Sequence, residues 1–400
     1  MRRQLPIPRL LSAGLATTAI VAVVSAYSGS PAAQSRTAPT ERGSAKGAIR
    51  HMDRAEAREL ARGAGYRARG GVEKAKSDSH NPRFRSLPHF SSSFTYKGTP
   101  YLYTMLGNAP ASGNPSQLRT IIIPLRMQFR GFEQDVTFDP AFAVRNILRS
   151  PIYQEAQFPT ESGQFADVFQ RATFWNKMDR QRRWHTTLAR PKVAETIDIQ
   201  VTPGIGELIQ LDSTTFLGTM NIDALDSQLH TIVQLMGIDP DETPLFITQN
   251  AFADVALGYH DAYAVDNDDD SETLQTLMFS SWLDPNIVGD LLGDISTLNH
   301  EVAEWYDDPF VNNIVPLWAF PPHNLVCGDN PYLEVGDPQG NGPDYALFPT
   351  YPVTMNNFTY HLQGLVMLPW FAREAPSSAV NRWYSFPDPT QIVTPSVACK

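Results

Sequence analysis

The sequence predicts an α+β fold that contains a mixed sheet. Strand patterns and helix patterns follow one another without the regular alternation of a parallel α/β protein. The 400 residues are 42% hydrophobic and 18% charged, which is the composition of a globular chain with enough apolar mass for a sizeable core. Two cysteines are too few for a disulfide-dense scaffold or a cysteine-based zinc finger.

The elements behind this prediction follow from hydrophobic periodicity. Apolar, β-branched and aromatic runs predict strands over residues 101–106, 120–125, 195–201, 244–248 and 255–263. Apolar residues at helical spacing predict helices over 141–148, 163–175 and 221–235. Residues 53–68 combine good helix formers with mixed charge and could form a short exposed helix. A solvated linker is expected there, with a pro-segment docked on the later domain as the alternative, ahead of a folded body that begins near Ser86.

The N-terminus has the pattern of a secretory signal over residues 1–26. Arg2, Arg3 and Arg9 precede an apolar run that ends in the cleavage pattern Val-Ser-Ala. The run is about 17 residues long and is diluted by Ser, Thr and Gly, which is marginal for a span. We therefore expect export, to the extracellular space or a periplasm, with no stable membrane span after cleavage.

Three further segments are expected after the signal. Residues 27–85 are a basic linker or pro-segment, because they are rich in small residues, Lys and Arg. Residues 86–243 form an N-terminal α/β subdomain. Residues 244–400 form the half that carries the candidate site.

The charge of the chain is unevenly distributed. No Lys or Arg occurs between Lys192 and Arg373, and that stretch contains 27 carboxylates. Such a segment repels phosphate backbones, so nucleic acid is excluded as a partner. It suits metal cations, basic peptides or an acidic milieu, and a surface built for solubility is the simplest alternative.

Apolar residues recur at helical spacing over 287–303 and predict one helix from Pro285 to about Tyr306. Asp284 is the expected N-cap, and Asp308-Pro309 should end the helix because the residue before proline resists helical angles. The apolar character of its turns predicts that this helix is largely buried.

The helix contains the motif His-Glu-Val-Ala-Glu at residues 300–304. His300 and Glu304 are four residues apart, so they share one helix face and can hold one metal ion, for which we expect zinc. Glu301 is rotated by about 100° from His300 and is the candidate general base that acts on a metal-activated water. The motif lacks the glycine and third histidine of the longer metzincin pattern, so a third ligand must come from elsewhere.

Glu334 and Asp337 are the first choices for that third ligand. They form a short acidic element downstream of the helix, as in zincins with a downstream acidic ligand. His260 and His361 are the alternatives, although a lone histidine is more often a structural residue.

The motif resembles that of the zincin peptidases, with Glu304 in place of the commoner second histidine. Together with Asp-Pro-Phe-Val-Asn at residues 308–312, it also resembles the plant EXORDIUM, or phosphate-induced, secreted proteins. Those proteins carry HE-x-x-E, then Asn-Pro-aliphatic, then Glu-x-x-Asp near a cysteine. Here Glu334 and Asp337 would be the acidic element, with Cys327 upstream of it rather than downstream.

Residues 258–260 (Gly-Tyr-His) also resemble the Gly-aromatic-His segment of the EXORDIUM proteins. The resemblance covers residues 244–372 and has no counterpart in the N-terminal half. It implies export and a zincin-like half domain, and residues 244–400 are therefore expected to be zincin-like.

These observations favour a secreted metal-dependent peptidase that hydrolyses a peptide or protein substrate with a metal-activated water. The alternative is a non-catalytic extracellular binding or structural protein that retains the fold. A third hypothesis is a protein adapted to an acid environment, which predicts stability that rises as pH falls.

Two further features have expected roles outside this site. Residues 266–270 (Asp-Asn-Asp-Asp-Asp) resemble the start of a calcium loop but lack its glycine and final glutamate, so a solvated acidic loop is expected, with loose Ca²⁺ binding as the alternative. Cys327 and Cys399 are expected to pair in an exported chain, since closing such a loop stabilises by about 4 kcal/mol in the chain-entropy model.

Overall fold

A computed structural model describes residues 46–64, 87–266, 272–319, 326–340, 349–393 and 395. The predicted signal peptide, residues 267–270 of the acidic loop and Cys399 lie outside the described residues. Cys327 is disulfide-bonded, and the chain has one other cysteine, at position 399. Among the helices of the described residues, none has the length and apolar character needed to cross a membrane.

The chain contains helices and strands in an irregular order, so the prediction of an α+β fold is confirmed. The described α-helices are α1 (Arg54–Ala64), α2 (Ala141–Ile147), α3 (Phe165–Thr173), α4 (Ile222–Met236), α5 (Pro285–Val288), α6 (Ser296–Asp307), α7 (Asp337–Gly340) and α8 (Leu368–Phe371), with 3₁₀ turns at Pro110–Ser112 and Val380–Arg382. The described strands are β1 (Arg50–His51), β2 (His89–Tyr96), β3 (Thr99–Leu106), β4 (Ser116–Phe129), β5 (Val136–Phe138), β6 (Ala156–Gln157), β7 (Ser162–Gly163), β8 (Thr186–Leu188), β9 (Lys192–Val193), β10 (Ile197–Val201), β11 (Gly206–Gln210), β12 (Phe216–Met220), β13 (Glu242–Gln249), β14 (Ala251–Ala253), β15 (Gly258–Asp266), β16 (Glu272–Trp282), β17 (Ile314–Trp318), β18 (Asn330–Tyr332), β19 (Tyr351–Met355), β20 (Phe358–Leu362), β21 (Leu365–Val366) and β22 (Ser385–Phe386).

The largest sheet, the central sheet, is mixed. Its main path runs β10-β4-β13-β16-β15; the first four of these strands are parallel, and β15 is antiparallel to β16 at the end of the path. The expected boundary between residues 243 and 244 lies inside β13, and the central sheet takes strands from both sides of it.

Helices cover both faces of the central sheet. Alternate residues of a strand point to opposite faces: Leu245 and Ile247 of β13 join one hydrophobic cluster, whereas Phe246 joins another. The first face packs against α6. The second packs against α4, which starts where the Asn221 side chain accepts a hydrogen bond from the amide of Ala224.

The folded body begins earlier than the sequence predicts. β1 pairs in parallel with β11, and the helix predicted within residues 53–68 is present as α1. One face of α1 is fully buried, at Ala57 and Ala61, in a cluster that also holds Ile287 and Val288. The expectations of a solvated linker here and of a folded body that starts near Ser86 are therefore wrong. The charged residues on the outer face of α1 dominate its composition, so the sequence does not reveal the buried alanine face.

The single helix predicted from Pro285 to Tyr306 is also wrong. Two helices, α5 and α6, are separated by residues with positive φ, Gly289 at 85° and Asp294 at 44°. Pro285 opens α5 and Asp284 is at its N-cap position, as predicted, but the Asp284 side chain makes no capping hydrogen bond; its carboxylate accepts a hydrogen bond of 2.7 Å from Asn250 Nδ2. The apolar residues between the two helices pack into the protein from a loop. They therefore show helical spacing in the sequence although no helix runs through them.

Candidate metal centre

The helix α6, hereafter the site helix, is buried along its whole length. It ends at Asp307, immediately before Asp308-Pro309, as predicted. Trp305 Nε1 donates to Thr276 Oγ1 at 3.1 Å, and the Tyr306 hydroxyl donates to the carbonyl of Thr186 at 3.2 Å. These bonds fix the helix against the central sheet and against β8, which limits how the motif residues can turn.

A second anchor holds the opposite flank of the site helix. Asn299 exchanges two hydrogen bonds with the backbone of Gln363, of 2.8 and 3.1 Å. The Gln363 side chain then donates to the carbonyl of Gly336 at 2.7 Å, and its Oε1 lies 3.1 Å from His300 Nδ1. A hydrogen bond at Nδ1 orients the imidazole so that Nε2 faces the other motif residues.

His300 Nε2 lies next to two carboxylates that can also bind a metal. It is 3.0 Å from Glu304 Oε2 and 3.5 Å from Asp337 Oδ1. The ligand atoms of His300, Glu304 and Asp337 all lie within 4.8 Å of one another. One imidazole and two carboxylates at this spacing are a donor set that suits a divalent metal ion.

His260 reaches the same centre from β15. It sits opposite Met278 of β16, on the face of the central sheet that the site helix covers. Its Nδ1 lies 3.4 Å from Glu301 Oε2 and 3.8 Å from Glu304 Oε2. His260, Glu304 and Glu334 form a second group with all three ligand atoms within 4.8 Å of one another.

Two glycines allow this close approach. A Cβ on Gly336 would lie 2.3 Å from His300 Nδ1, and a Cβ on Gly258 would lie 2.9 Å from Glu301 Oε1. Neither glycine has a positive φ, so the requirement is for space rather than for backbone conformation. The amide of Gly336 also donates to Glu304 Oε1 at 3.0 Å, which fixes that carboxylate.

Several buried oxygens of the centre have no hydrogen-bond partner among the described residues. They are Oε1 of Glu301, which is fully buried, and both carboxylate oxygens of Glu334, which is 2% exposed and whose one close side-chain partner is another carboxyl group, that of Glu304. Burying a polar group without a partner costs roughly 2–7 kcal/mol. A bound cation would supply the missing interaction.

The electrostatics of the centre reflect burial first and carboxylate crowding second. Burial raises the pKa of Glu301 and of Glu334 well above the usual range, and the Glu304 carboxylate raises both further. Burial would also raise the pKa of Glu304, but the two histidines and the Gly336 amide outweigh it, so that pKa is lowered. Burial lowers the pKa of His260 to about 4, so this imidazole is neutral at pH 7 and can donate a lone pair to a metal.

The C-terminal end of the site helix adds two more buried acids. Neither carboxylate oxygen of Asp307 has a hydrogen-bond partner among the described residues, and burial raises its pKa well above the usual range. Asp308 accepts hydrogen bonds from the amides of Asn312 and Asn313, and burial raises its pKa to about 7.

The sequence identifies most of this centre. His300, Glu301, Glu304 and both acidic candidates, Glu334 and Asp337, are brought together by the fold. Of the two alternative histidines, His260 belongs to the centre.

His361 does not belong to it. Its Nδ1 lies 2.6 Å from Asp294 Oδ2, in the loop between α5 and the site helix, and it is outside both metal-binding groups of the centre. The sequence also misses Gln363 and Gly336, because no spacing or residue class marks them. Only their contacts with His300 reveal their roles.

A third group of metal-binding residue types lies on the other face of the central sheet. This opposite-face cluster consists of Asp226, His230 and Asp261. His230 Nε2 is 3.2 Å from Asp261 Oδ2 and 3.9 Å from Asp226 Oδ1, and the Tyr259 hydroxyl donates to Asp226 at 3.1 Å. His230 is about one-third exposed (31%), unlike the residues of the centre.

Comparison of the chain with protein-family models, with curated proteins and with solved structures found no match. The similarity to zincins and to the EXORDIUM proteins therefore stays a prediction. The described residues do contain buried histidine and carboxylate groups positioned to hold a metal ion.

Proposed function

We propose that this chain is a metal-dependent hydrolase with a zincin-like centre, and that its substrate is a peptide or protein. The observation that carries the proposal is the convergence of Glu304 and Asp337 on His300 Nε2, at 3.0 and 3.5 Å, in a buried site. Zinc is the ion that this donor set and its helix spacing favour. When bound, zinc would polarise a carbonyl and lower the pKa of a water.

Each residue of the centre has a role in this proposal. His300, Glu304 and Asp337 would hold the ion. Glu301 would take the proton from the attacking water and pass it to the leaving amine. Gln363 would keep His300 oriented.

The position of the site helix supports the proposed likeness to zincins. The helix packs beneath the antiparallel strand β15, which ends the path of the central sheet and contributes His260 next to Glu301. An extended peptide can pair with such a strand through its backbone. Export of the protein, to the extracellular space or a periplasm, remains part of the proposal and rests on residues 1–26.

A second candidate function is a structural metal protein without hydrolytic activity. The burial of the centre favours it, because His260, His300, Glu301 and Glu304 are all at most 1% exposed. Structural sites are closed by protein ligands, whereas catalytic sites keep one position open to water or substrate.

One experiment separates the two functions. The unmodified chain, Glu301→Gln and His300→Ala are loaded with zinc, and metal content and hydrolysis of a peptide library are measured together. We expect Glu301→Gln to keep its metal and lose at least about 100-fold in hydrolysis, since general-base catalysis contributes about 10²–10⁴-fold. His300→Ala should lose the metal.

Glu207→Gln is the matched control, because Glu207 is an exposed glutamate on β11 with a side chain 62% exposed. It should hydrolyse peptides at the unmodified rate. Metal that is lost in His300→Ala, with no hydrolysis by any of the proteins, would assign the structural function. Hydrolysis that survives in His300→Ala would contradict the proposed site.

A further inference from the structure

The candidate metal centre contains two sets of ligand atoms. His300, Glu304 and Asp337 form the first set, and His260, Glu304 and Glu334 form the second. Glu304 is common to both. The two sets differ only in which histidine and which downstream carboxylate accompany it.

Glu304 lies between the two histidines. Its Oε2 is 3.0 Å from His300 Nε2 and 3.8 Å from His260 Nδ1, and its Oε1 accepts the hydrogen bond from the Gly336 amide. That hydrogen bond holds the carboxylate plane in place. A carboxylate fixed between two imidazoles is in position to bridge two cations.

The charge of the centre favours two cations over one. Glu301, Glu304, Glu334 and Asp337 are at most 5% exposed, and no Lys or Arg is among the groups that shift the pKa of the three glutamates. Buried carboxyl groups are costly unless they are paired, and an ion in the first set would pair only with Glu304 and Asp337. A second divalent cation would pair with Glu334 as well.

A single ion in the first set would also leave Glu334 without a role. Both of its oxygens are buried with no N–H donor in reach among the described residues, and the one close side-chain partner of Glu334 is the Glu304 carboxyl, with which it could bond only by sharing a proton. His260 faces the same space, and a neutral imidazole there is an available ligand. The second set therefore has its own metal ligands, His260 and Glu334, and contains a buried carboxylate that a cation would pair with.

We propose that the centre binds two divalent transition-metal ions bridged by Glu304. The first ion would lie among His300, Glu304 and Asp337, and the second among His260, Glu304 and Glu334. This inference rests on the metal binding put forward as the proposed function and extends it. Paired ions about 3.5–4 Å apart stabilise both the attacking and the leaving oxygens of a displacement.

Metal counting on the full chain tests the proposal. The protein is equilibrated with Zn²⁺, freed of excess metal by gel filtration and analysed by mass spectrometry. We expect two zinc ions per chain in the unmodified protein and one in Glu334→Gln. His230→Gln removes a ligand of the opposite-face cluster and should keep both ions.

The outcomes distinguish this inference from the proposed function. One ion per chain in both the unmodified protein and Glu334→Gln would overturn the second ion and leave the proposed function standing. No bound metal would overturn both. Two ions, of which one is lost in His230→Gln but not in Glu334→Gln, would assign the second ion to the opposite-face cluster and overturn the bridge.

A measurement on the unmodified chain guards against variants that fail to fold. Loaded with Mn²⁺, a bridged pair gives an exchange-coupled electron paramagnetic resonance spectrum. Two distant ions give the six-line spectrum of isolated Mn²⁺. A coupled spectrum supports the bridge, and a purely six-line spectrum overturns it.

Discussion

His260 and Asp261 are consecutive residues of β15, and they enter two groups of the same residue types on opposite faces of the central sheet. His260 enters the candidate metal centre, where Glu334 is buried with no N–H donor in reach among the described residues. Asp261 enters the opposite-face cluster, where His230 contacts both aspartates and Tyr259 donates to Asp226. A histidine with two carboxylates is therefore not sufficient to indicate a metal site. Buried carboxylate oxygens that no hydrogen-bond donor reaches are the stronger indication.

The two faces of the central sheet also differ in how far solvent reaches the charged groups. His230 is about one-third exposed, so solvent screens its contacts with the aspartates. The centre is closed to solvent, and the carboxylates there repel one another without screening. Metal binding should therefore matter for stability on one face and be nearly irrelevant on the other.

Metal removal should give the largest difference between the faces. A strong chelator should lower the free energy of unfolding by about 3–5 kcal/mol, the usual cost of leaving buried charges uncompensated. Denaturant unfolding with and without chelator measures it, and His230→Gln should show the same loss. A free energy of unfolding that is the same with and without chelator, and that rises as pH falls, would instead support the acid-environment hypothesis.

Filling the space beside His300 should have the next largest effect. Gly336→Ala puts a Cβ 2.3 Å from His300 Nδ1, so we expect a loss of about 1–3 kcal/mol in stability from overpacking. Metal affinity should fall by about 10–100-fold, as for other changes that misorient a ligand. Gly204→Ala is the matched control, since its Cβ would meet no atom within 4 Å; equal effects in both variants would refute the packing of Gly336 on His300.

His361 lies outside the centre and is paired with a carboxylate of the protein, that of Asp294. The hydrogen bond to Asp294 raises the pKa of His361, so protonated His361 stabilises the folded state. That contribution is complete below the unfolded pKa of about 6.5 and is lost as pH rises through the higher folded pKa. His361→Gln should therefore lose about 1–2 kcal/mol at pH 5.5 and less at pH 9; thermal melts at both values measure this, and an equal loss at both would contradict it.

The smallest effect is expected on the opposite face. His230→Gln should change the free energy of unfolding by less than about 1 kcal/mol, because His230 is partly exposed to solvent and glutamine can still donate a hydrogen bond to the aspartates. Its metal content should equal that of the unmodified chain. A large loss of either would mean that the two faces are more alike than their exposure indicates.

Local patterns predict most elements of this fold. Strands predicted over 101–106 and 120–125 lie within β3 and β4, the one predicted over 195–201 covers β10, and the helix predicted over 221–235 is α4 within one residue at each end. The first two strands are apolar or aromatic runs, the third alternates and the helix has helical spacing. The break between α5 and the site helix escapes such patterns, because the Asp294 carboxylate binds the distant residue His361 as well as the amide of its neighbour Ile295.

The candidate site also has residues that the sequence predicts and residues that only the tertiary structure identifies. His300, Glu301 and Glu304 are predictable because helical geometry alone brings them together. Choosing among the remaining candidates requires tertiary structure, since β15 delivers His260 and the chain near α7 delivers Asp337. No local signal separates His260 from His361; both are lone histidines in strands, and only the fold gives one of them a carboxylate partner away from the centre.

The packing of residues 46–64 has a consequence for how this protein could be processed. A protease that cut the chain once between Ala64 and Leu87 would not free the upstream piece, because β1 remains paired with β11 and the alanine face of α1 remains buried. The product would be a nicked protein whose two fragments separate on a denaturing gel but elute together under native conditions. In maturation, the piece up to Ala64 would behave as a non-covalent subunit.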